Sequence, residues 1–460
     1  METIETDILI IGGGPGGYTA AFEAAKAGKQ VLLVEKEGKL GGVCLHRGCI
    51  PSKTYLTATE IIEAARRSQQ SGIRFDPPRI DVGKLRQRKD ETVEGLAEDL
   101  TGLAEKLGVR TFAGRAYLEG NETVRVEDEE GQREIRFEHL ILAVGSRPIL
   151  PDELDIQHPR VMSSNEALDL GEVPDRLLVV GGNYIGMELG SVYSRLGSSV
   201  VVAEVLDRVL SLADEDLAKP VVEAAESSFE ALWCETQVAK LATDDKKIRA
   251  TLDKNGEERE ELFDQVLVAV GRRPNTDTLG VENTELELDD RDCLSVNEQQ
   301  QTNVKHIYAI GDVCGGMMLA HEAEMEARRA VDAICGHSRP PRELLIPAVV
   351  YTDPELAWVG VTEQQAKERE LQAKVVSVPW SHSGRARSMN RSDGLTKLVI
   401  DPASERILGV GICGKHAGEL IAEGVLAIEM AATAHDLRET SHPHPTLSET
   451  MRDAAARFGD

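Results

Sequence analysis

Asp7-Ile8-Leu9-Ile10-Ile11-Gly12-Gly13-Gly14-Pro15-Gly16-Gly17 is a short apolar strand running into a glycine turn, and its reading decides the fold. An alanine-rich helix follows through Lys26, then Gln30-Val31-Leu32-Leu33-Val34 ends in Glu35. Strand, glycine turn, helix, strand and acid thus fall within about thirty residues, the full dinucleotide-binding pattern. Gly12, Gly14 and Gly17 permit a tight turn and close approach to a pyrophosphate, whose charge the helix N-terminus favours. Glu35 is placed to accept hydrogen bonds from a ribose diol.

The pattern returns later in the chain. Arg176-Leu177-Leu178-Val179-Val180 opens on Gly181-Gly182-Asn183-Tyr184-Ile185-Gly186, and Val200-Val201-Val202-Ala203 ends in Glu204. A terminal acid suits the free diol of NAD, whereas a 2′-phosphate calls for a cation, so NAD is expected over NADP. Asn183 stands where the second glycine belongs. Asparagine tolerates left-handed backbone angles better than most residues, so the expectation is preserved turn geometry, a side chain crowding the phosphates and weakened or altered NAD binding.

Gly41-Gly42-Val43-Cys44-Leu45-His46-Arg47-Gly48-Cys49-Ile50-Pro51-Ser52-Lys53 places two cysteines shortly after the first unit. On a regular helix they would be separated by roughly 7.5 Å of axial rise, beyond the usual disulfide Cα spacing of about 4.4 to 6.8 Å. A bond therefore requires a distorted first turn, for which Gly41, Gly42 and Gly48 supply the freedom. Two unconnected buried thiols are the competing reading. Cys234, Cys293, Cys314, Cys335 and Cys413 are scattered and read as structural.

Leu140-Ile141-Leu142-Ala143-Val144-Gly145 and Gln265-Val266-Leu267-Val268-Ala269-Val270-Gly271 are buried strands ending in glycine turns, expected where the chain crosses between domains. Ile307-Tyr308-Ala309-Ile310-Gly311-Asp312 ends in another acid, suited to a cofactor hydroxyl. Helices are expected from Thr57 to about Ala65 and from Val82 to Lys106. Alternating strands and helices up to about residue 340 predict parallel, doubly wound sheets; beyond Ile346 the texture becomes that of a separate α+β domain. The expected division is a first dinucleotide-binding domain over 1–150 and 274–345, a second over 151–273 and a separate α+β domain over 346–460.

Near the C-terminus, Ser441-His442-Pro443-His444-Pro445-Thr446-Leu447-Ser448-Glu449 combines histidines with a carboxylate. The prolines hold the stretch out of regular helix, and a helix starting near Thr446 is expected to bring Glu449 back toward the loop. A histidine oriented by a carboxylate is a general base near neutral pH, which thiol chemistry needs. A metal site is not expected, because no further ligand lies at suitable spacing.

The chain has 460 residues, 41% hydrophobic and 28% charged, with a net charge of −27. That charge repels nucleic acid. It suits solubility or steering toward a basic partner. No apolar run approaches the roughly 20 residues of a membrane span, and Met1-Glu2-Thr3-Ile4-Glu5-Thr6 lacks a signal-peptide pattern. A cytoplasmic location is the expectation, consistent with an odd cysteine count.

Taken together, the dithiol segment, both nucleotide units, the Gly311-Asp312 strand end and the His-Pro-Thr-x-x-Glu ending resemble the pyridine nucleotide-disulfide oxidoreductases, and within them the enzymes that oxidise dihydrolipoyl groups. The resemblance covers essentially the whole chain. It implies two Rossmann-like domains binding FAD and NAD, and a C-terminal domain forming a homodimer in which each active site is completed by the partner. Cys44 would exchange disulfide with lipoyl sulfur and Cys49 would lie beside the flavin. Lys53 matches the lysine near flavin N5, Glu188 the acid paired with it, and Asp312 the ligand of the ribityl chain. Met318-Leu319-Ala320 matches the stretch lining the isoalloxazine, and His444 of the partner subunit, oriented by Glu449, would deprotonate dihydrolipoyl thiol. The lipoyl group would sit on a separate protein.

His46 and Pro443 depart from the family's usual asparagine and alanine. With Asn183 they suggest a specialised lipoyl partner or a preferred direction; His46 is expected to pack outside the site. A related disulfide reductase, or a flavoprotein with a structural role in a larger complex, is the alternative.

Overall fold

A computed structural model describes residues 2–337 and 344–459. The chain divides into two units: residues 1–54, 82–149 and 271–344 form the first, and 55–81, 150–270 and 345–460 the second.

In the first unit, strands β1 (Glu2–Ile11), β2 (Val31–Glu35), β3 (Arg110–Ala113), β4 (Arg115–Leu118), β5 (Thr123–Asp128) and β6 (Gly131–Leu142) lie in the order β3-β2-β1-β6-β5-β4. Strand Ile307–Ala309 runs parallel to β6. Ile8, Leu9 and Ile10 are fully buried, as the continuous apolar run of a strand covered on both faces requires. Helix α1 (Pro15–Lys26) buries Ala20, Ala21 and Ala24 in the same core as Ala327 and Ala330 of helix Ala320–Ile334. Antiparallel β4, β5 and β6 form one side of this sheet, so it is mixed rather than wholly parallel.

The second unit repeats the motif with Arg176–Val180 paired in parallel to Ser199–Ala203 and Gln265–Val268. Strands Gln237–Asp244, Lys247–Lys254 and Glu257–Phe263 make an antiparallel meander where a parallel sheet is predicted. Its turns, at Asp245 and at Asn255-Gly256, adopt positive φ, the angle that two-residue hairpins require. The same unit carries a five-stranded antiparallel sheet, ordered Ala348–Val350, Glu355–Gly360, Ile407–Gly414, Leu395–Ile400, Lys374–Pro379, and helices Ala417–Glu429, Ala434–Glu439 and Glu449–Ala456. The architecture is α/β, with two Rossmann-like dinucleotide-binding regions and a C-terminal α+β domain. Among the described residues, no helix is long and apolar enough to cross a membrane.

Candidate active site

The two nucleotide turns are built alike. Gly12 N–H donates to Val34 O and Gly181 N–H to Ala203 O, tying each turn to its neighbouring strand. A Cβ on Gly17 would lie 1.8 Å from Gly12 O, and one on Gly186 2.0 Å from Gly181 O; only glycine lets either helix start so close to its strand. Each terminal acid orients its turn: Glu35 accepts from Gly13 N–H at 2.6 Å and Glu204 from Gly182 N–H at 2.6 Å. No side chain caps α1 at Gly14, which leaves the donors of its first turn to an anion.

Asn183 corrects one expectation. Its φ of −83° is ordinary extended backbone, so asparagine's tolerance of left-handed angles is not used. The exposed side chain instead caps its own helix, accepting from Tyr184 N–H at 2.8 Å.

Gly42 lies directly against the first nucleotide turn, where a Cβ would meet Gly14 Cα at 2.6 Å. Gly41 and Gly42 have φ of 119° and 58°, and this reversal starts helix α2 (Gly42–Arg47). The helix breaks at Gly48, whose added Cβ would fall 3.3 Å from Cys44 Cα, and helix α3 (Cys49–Ser68) begins anew. The break is the distortion that the cysteine spacing demands. It brings the Cys44 and Cys49 thiols into hydrogen-bonding contact. That bond, followed by burial, pushes the Cys44 thiol well above its usual range, while Lys53 acts in the opposite direction.

His46 bonds through Nε2 to Leu40 O at 2.8 Å, fixing the loop that leads into Gly41. Tyr18, which the motifs do not single out, stands close enough to feel the charge of both cysteines. Burial is the main cause that pushes its hydroxyl up to about 12.

Asp312 accepts from Ser146 Oγ, and Arg272 Nε donates to the same Ser146 Oγ at 2.7 Å. Neither partner is marked by a sequence motif. Ser146–Pro148 pairs with Arg272–Pro274, so the turns at Gly145 and Gly271 form one ribbon that delivers both residues to Asp312. Met318 has φ of 56° and leads through Leu319 into the helix beginning at Ala320. Glu326 on that helix accepts from Gly311 N–H at 2.6 Å, and burial pushes its carboxyl up to about 8.

In the second unit, Glu188 is buried and accepts from Tyr351 N–H at 3.0 Å. The two histidines of the C-terminal motif separate clearly. The His442 side chain is 4% exposed, held between Glu423 Oε1 at 2.7 Å and Thr440 O at 2.9 Å. The His444 side chain is 79% exposed, its Nδ1 3.0 Å from Glu449 Oε1, leaving Nε2 to face outward.

The helix begins at Glu449 rather than near Thr446, because Glu449 Oε2 accepts from Thr446 N–H at 2.8 Å and ties the loop down ahead of it. A buried chain from Trp380 Nε1 through Thr396 and Thr450 to Leu447 O anchors this helix to the sheet. Burial raises the Glu449 pKa, but the Thr446 N–H, His444 and Arg452 outweigh it and hold the carboxyl below its usual value.

Among the described residues, one carboxylate cluster, Asp214, Asp216 and Glu363, has metal-like spacing. Lys397 Nζ lies 3.2, 2.6 and 2.7 Å from these groups.

Residues 6–327 match the family model for pyridine nucleotide-disulphide oxidoreductases, and residues 346–455 match that family's dimerisation domain. This chain belongs to the pyridine nucleotide-disulphide oxidoreductase family. It is 40% identical to a dihydrolipoyl dehydrogenase of Vibrio parahaemolyticus over 99% of this chain and 96% of the relative. It is 42% identical to one from Haloferax volcanii, over 98% and 95%. Among solved structures it resembles LpdA from Mycobacterium tuberculosis, with a TM-score of 0.92 and 28% identity over 98% and 99% of the two chains. It also resembles the HOCl-induced flavoprotein disulfide reductase RclA from Escherichia coli, in its Cu(II) complex, at a TM-score of 0.88 and 27% identity over 99% of each chain. This family member is an oxidoreductase using FAD and NAD for dithiol–disulfide chemistry, and its C-terminal domain forms a homodimer.

Proposed function

We propose that the enzyme oxidises dihydrolipoyl groups carried on a separate protein and passes the electrons to NAD. The observation that carries this reading is the pair Cys44 and Cys49, brought together by the helix break at Gly48 in a chain whose curated relatives are dihydrolipoyl dehydrogenases.

In the oxidised enzyme Cys44 and Cys49 are joined. Nε2 of His444 of the partner subunit removes a proton from a dihydrolipoyl thiol, and Glu449, held on Nδ1, keeps that nitrogen turned outward. The resulting thiolate attacks Cys44 Sγ, releasing Cys49 as thiolate; the second lipoyl sulfur then displaces Cys44, giving the lipoyl disulfide and a protein dithiol. FAD supplies the route by which this electron pair becomes a hydride on NAD.

Gly12, Gly14, Gly17 and Glu35 would hold the adenosine half of FAD, with Gly145 as a further contact. Asp312, fixed by Ser146 and Arg272, would hold the ribityl hydroxyls, and Met318, Leu319 and Ala320 would line the ring. Lys53 would stand at the flavin's reactive edge, and its charge favours a Cys44 thiolate. Glu188 serves as the acid of the lysine–acid pair that the family pattern implies. Gly181, Asn183, Gly186 and Glu204 would line the NAD site, with Gly271 as a further candidate, and the acidic Glu204 would select NAD over NADP.

The reaction proceeds in the cytoplasm. The test is NADH formation from dihydrolipoamide and NAD, repeated with NADP. Rapid NADH production with NAD alone is expected. Flavin-loaded protein that produces none with either nucleotide, using free dihydrolipoamide or a lipoylated domain, would overturn the reading.

A further inference from the structure

We propose that Asn183 sets the affinity for the pyridine nucleotide by acting as an internal competitor for the pyrophosphate. This rests on the NAD assignment of the second nucleotide turn.

The two turns provide a comparison within one chain. Gly14 has φ −72° and ψ −175°, and Asn183 has φ −83° and ψ −177°. The backbone angles at this position nearly match, so the side chain is the difference that matters. At the first turn, Gly14 brings no acceptor and the next residue, Pro15, has no N–H to offer. At the second, Tyr184 presents an N–H at the start of a 13-residue helix, and Asn183 Oδ1 takes it at 2.8 Å.

That N–H belongs to the group of unsatisfied donors with which a helix start holds a phosphate. A pyrophosphate that approaches the turn closely must displace the Asn183 amide. The amide is exposed, so it can rotate into water, and the loss is one hydrogen bond rather than a buried unsatisfied group. The enzyme therefore binds its nucleotide more weakly than the same turn with glycine would. Nucleotide release is correspondingly faster, which suits an enzyme whose product carries the same pyrophosphate as its substrate.

Asn183→Ala and Asn183→Gly both remove the acceptor, while Asn183→Ser keeps one. Calorimetric titration of the oxidised, flavin-loaded dimer with NAD and with ADP-ribose measures the competition without turnover. Alanine and glycine variants should bind both probes roughly three- to tenfold more tightly, the worth of one hydrogen bond; serine should remain near the parent. FAD content and melting temperature check the fold, since glycine is nearly as good an N-cap as asparagine. Unchanged or weaker binding by the alanine and glycine variants overturns the proposal while leaving the NAD assignment standing. Failure of the parent and every variant to bind either probe overturns both.

Discussion

Nδ1 of His444 lies 3.0 Å from Oε1 of Glu449, and the other carboxylate oxygen of Glu449 accepts from Thr446 N–H. One carboxylate thus fixes both the ring and the loop carrying it. His444→Ala should lower dihydrolipoamide oxidation by about 10²- to 10⁴-fold, the usual range for a general base, while leaving NADH-to-dye activity near the parent. Glu449→Gln should lose less, because the amide oxygen can still accept one of the two bonds. Equal loss of both activities in His444→Ala would contradict the assignment.

His442 is the internal control. Its buried ring bridges Glu423 and Thr440 O, so His442→Ala should cost stability of about 1–3 kcal/mol by leaving buried groups unpaired, without a selective loss of thiol oxidation. Thermal unfolding alongside both activity assays checks it.

The paired glycine turns predict a dissociation of functions. Gly186→Ala forces a Cβ toward Gly181 O and should impair NADH reduction of the flavin while FAD stays bound. Gly17→Ala makes the same clash at Gly12 O and should reduce FAD retention. Each overpacked turn costs about 1–3 kcal/mol. Flavin absorbance after gel filtration and NADH titration distinguish the two.

Glu326 predicts a pH dependence. Its folded pKa is about 8, raised by burial above the ordinary 4.5, so the carboxyl favours the folded state when protonated. This contribution is fully present below about pH 4.5 and is lost as pH rises through about 8. Glu326→Gln, which can still accept from Gly311 N–H, should match the parent at acidic pH and exceed it in stability above pH 8, by an amount on the order of a few kcal/mol. Denaturant unfolding of flavin-loaded protein at both pH values gives the comparison; a difference independent of pH would refute it.

The glycine turns, the strand-end acids and the dithiol were legible because each is compact in sequence and its spacing has a direct physical reading. The need for a broken helix between Cys44 and Cys49 was legible too, and Gly48 provides it. The pairing of His444 with Glu449 was legible as well, but the setting of His442 was not, because its partner Glu423 lies on another helix. Ser146 and Arg272 carry no motif for the same reason: only strand pairing brings them to Asp312. The start of the last helix was misplaced because Glu449 bonds backward to Thr446. The meander over 237–263 departs from the parallel alternation around it, because positive φ at Asp245 and at Asn255-Gly256 turns its strands back as hairpins.

The most direct measurement is cysteine mapping after one half-reaction. Oxidised, flavin-loaded enzyme is mixed with one equivalent of dihydrolipoamide without NAD, quenched with an alkylating agent under denaturing conditions and analysed by peptide mass spectrometry. Labelling of Cys44 and Cys49 should rise in step with lipoamide formation and be absent before mixing. Lipoamide formed while this pair stays unlabelled, or turnover surviving in both Cys44→Ser and Cys49→Ser, would contradict the account.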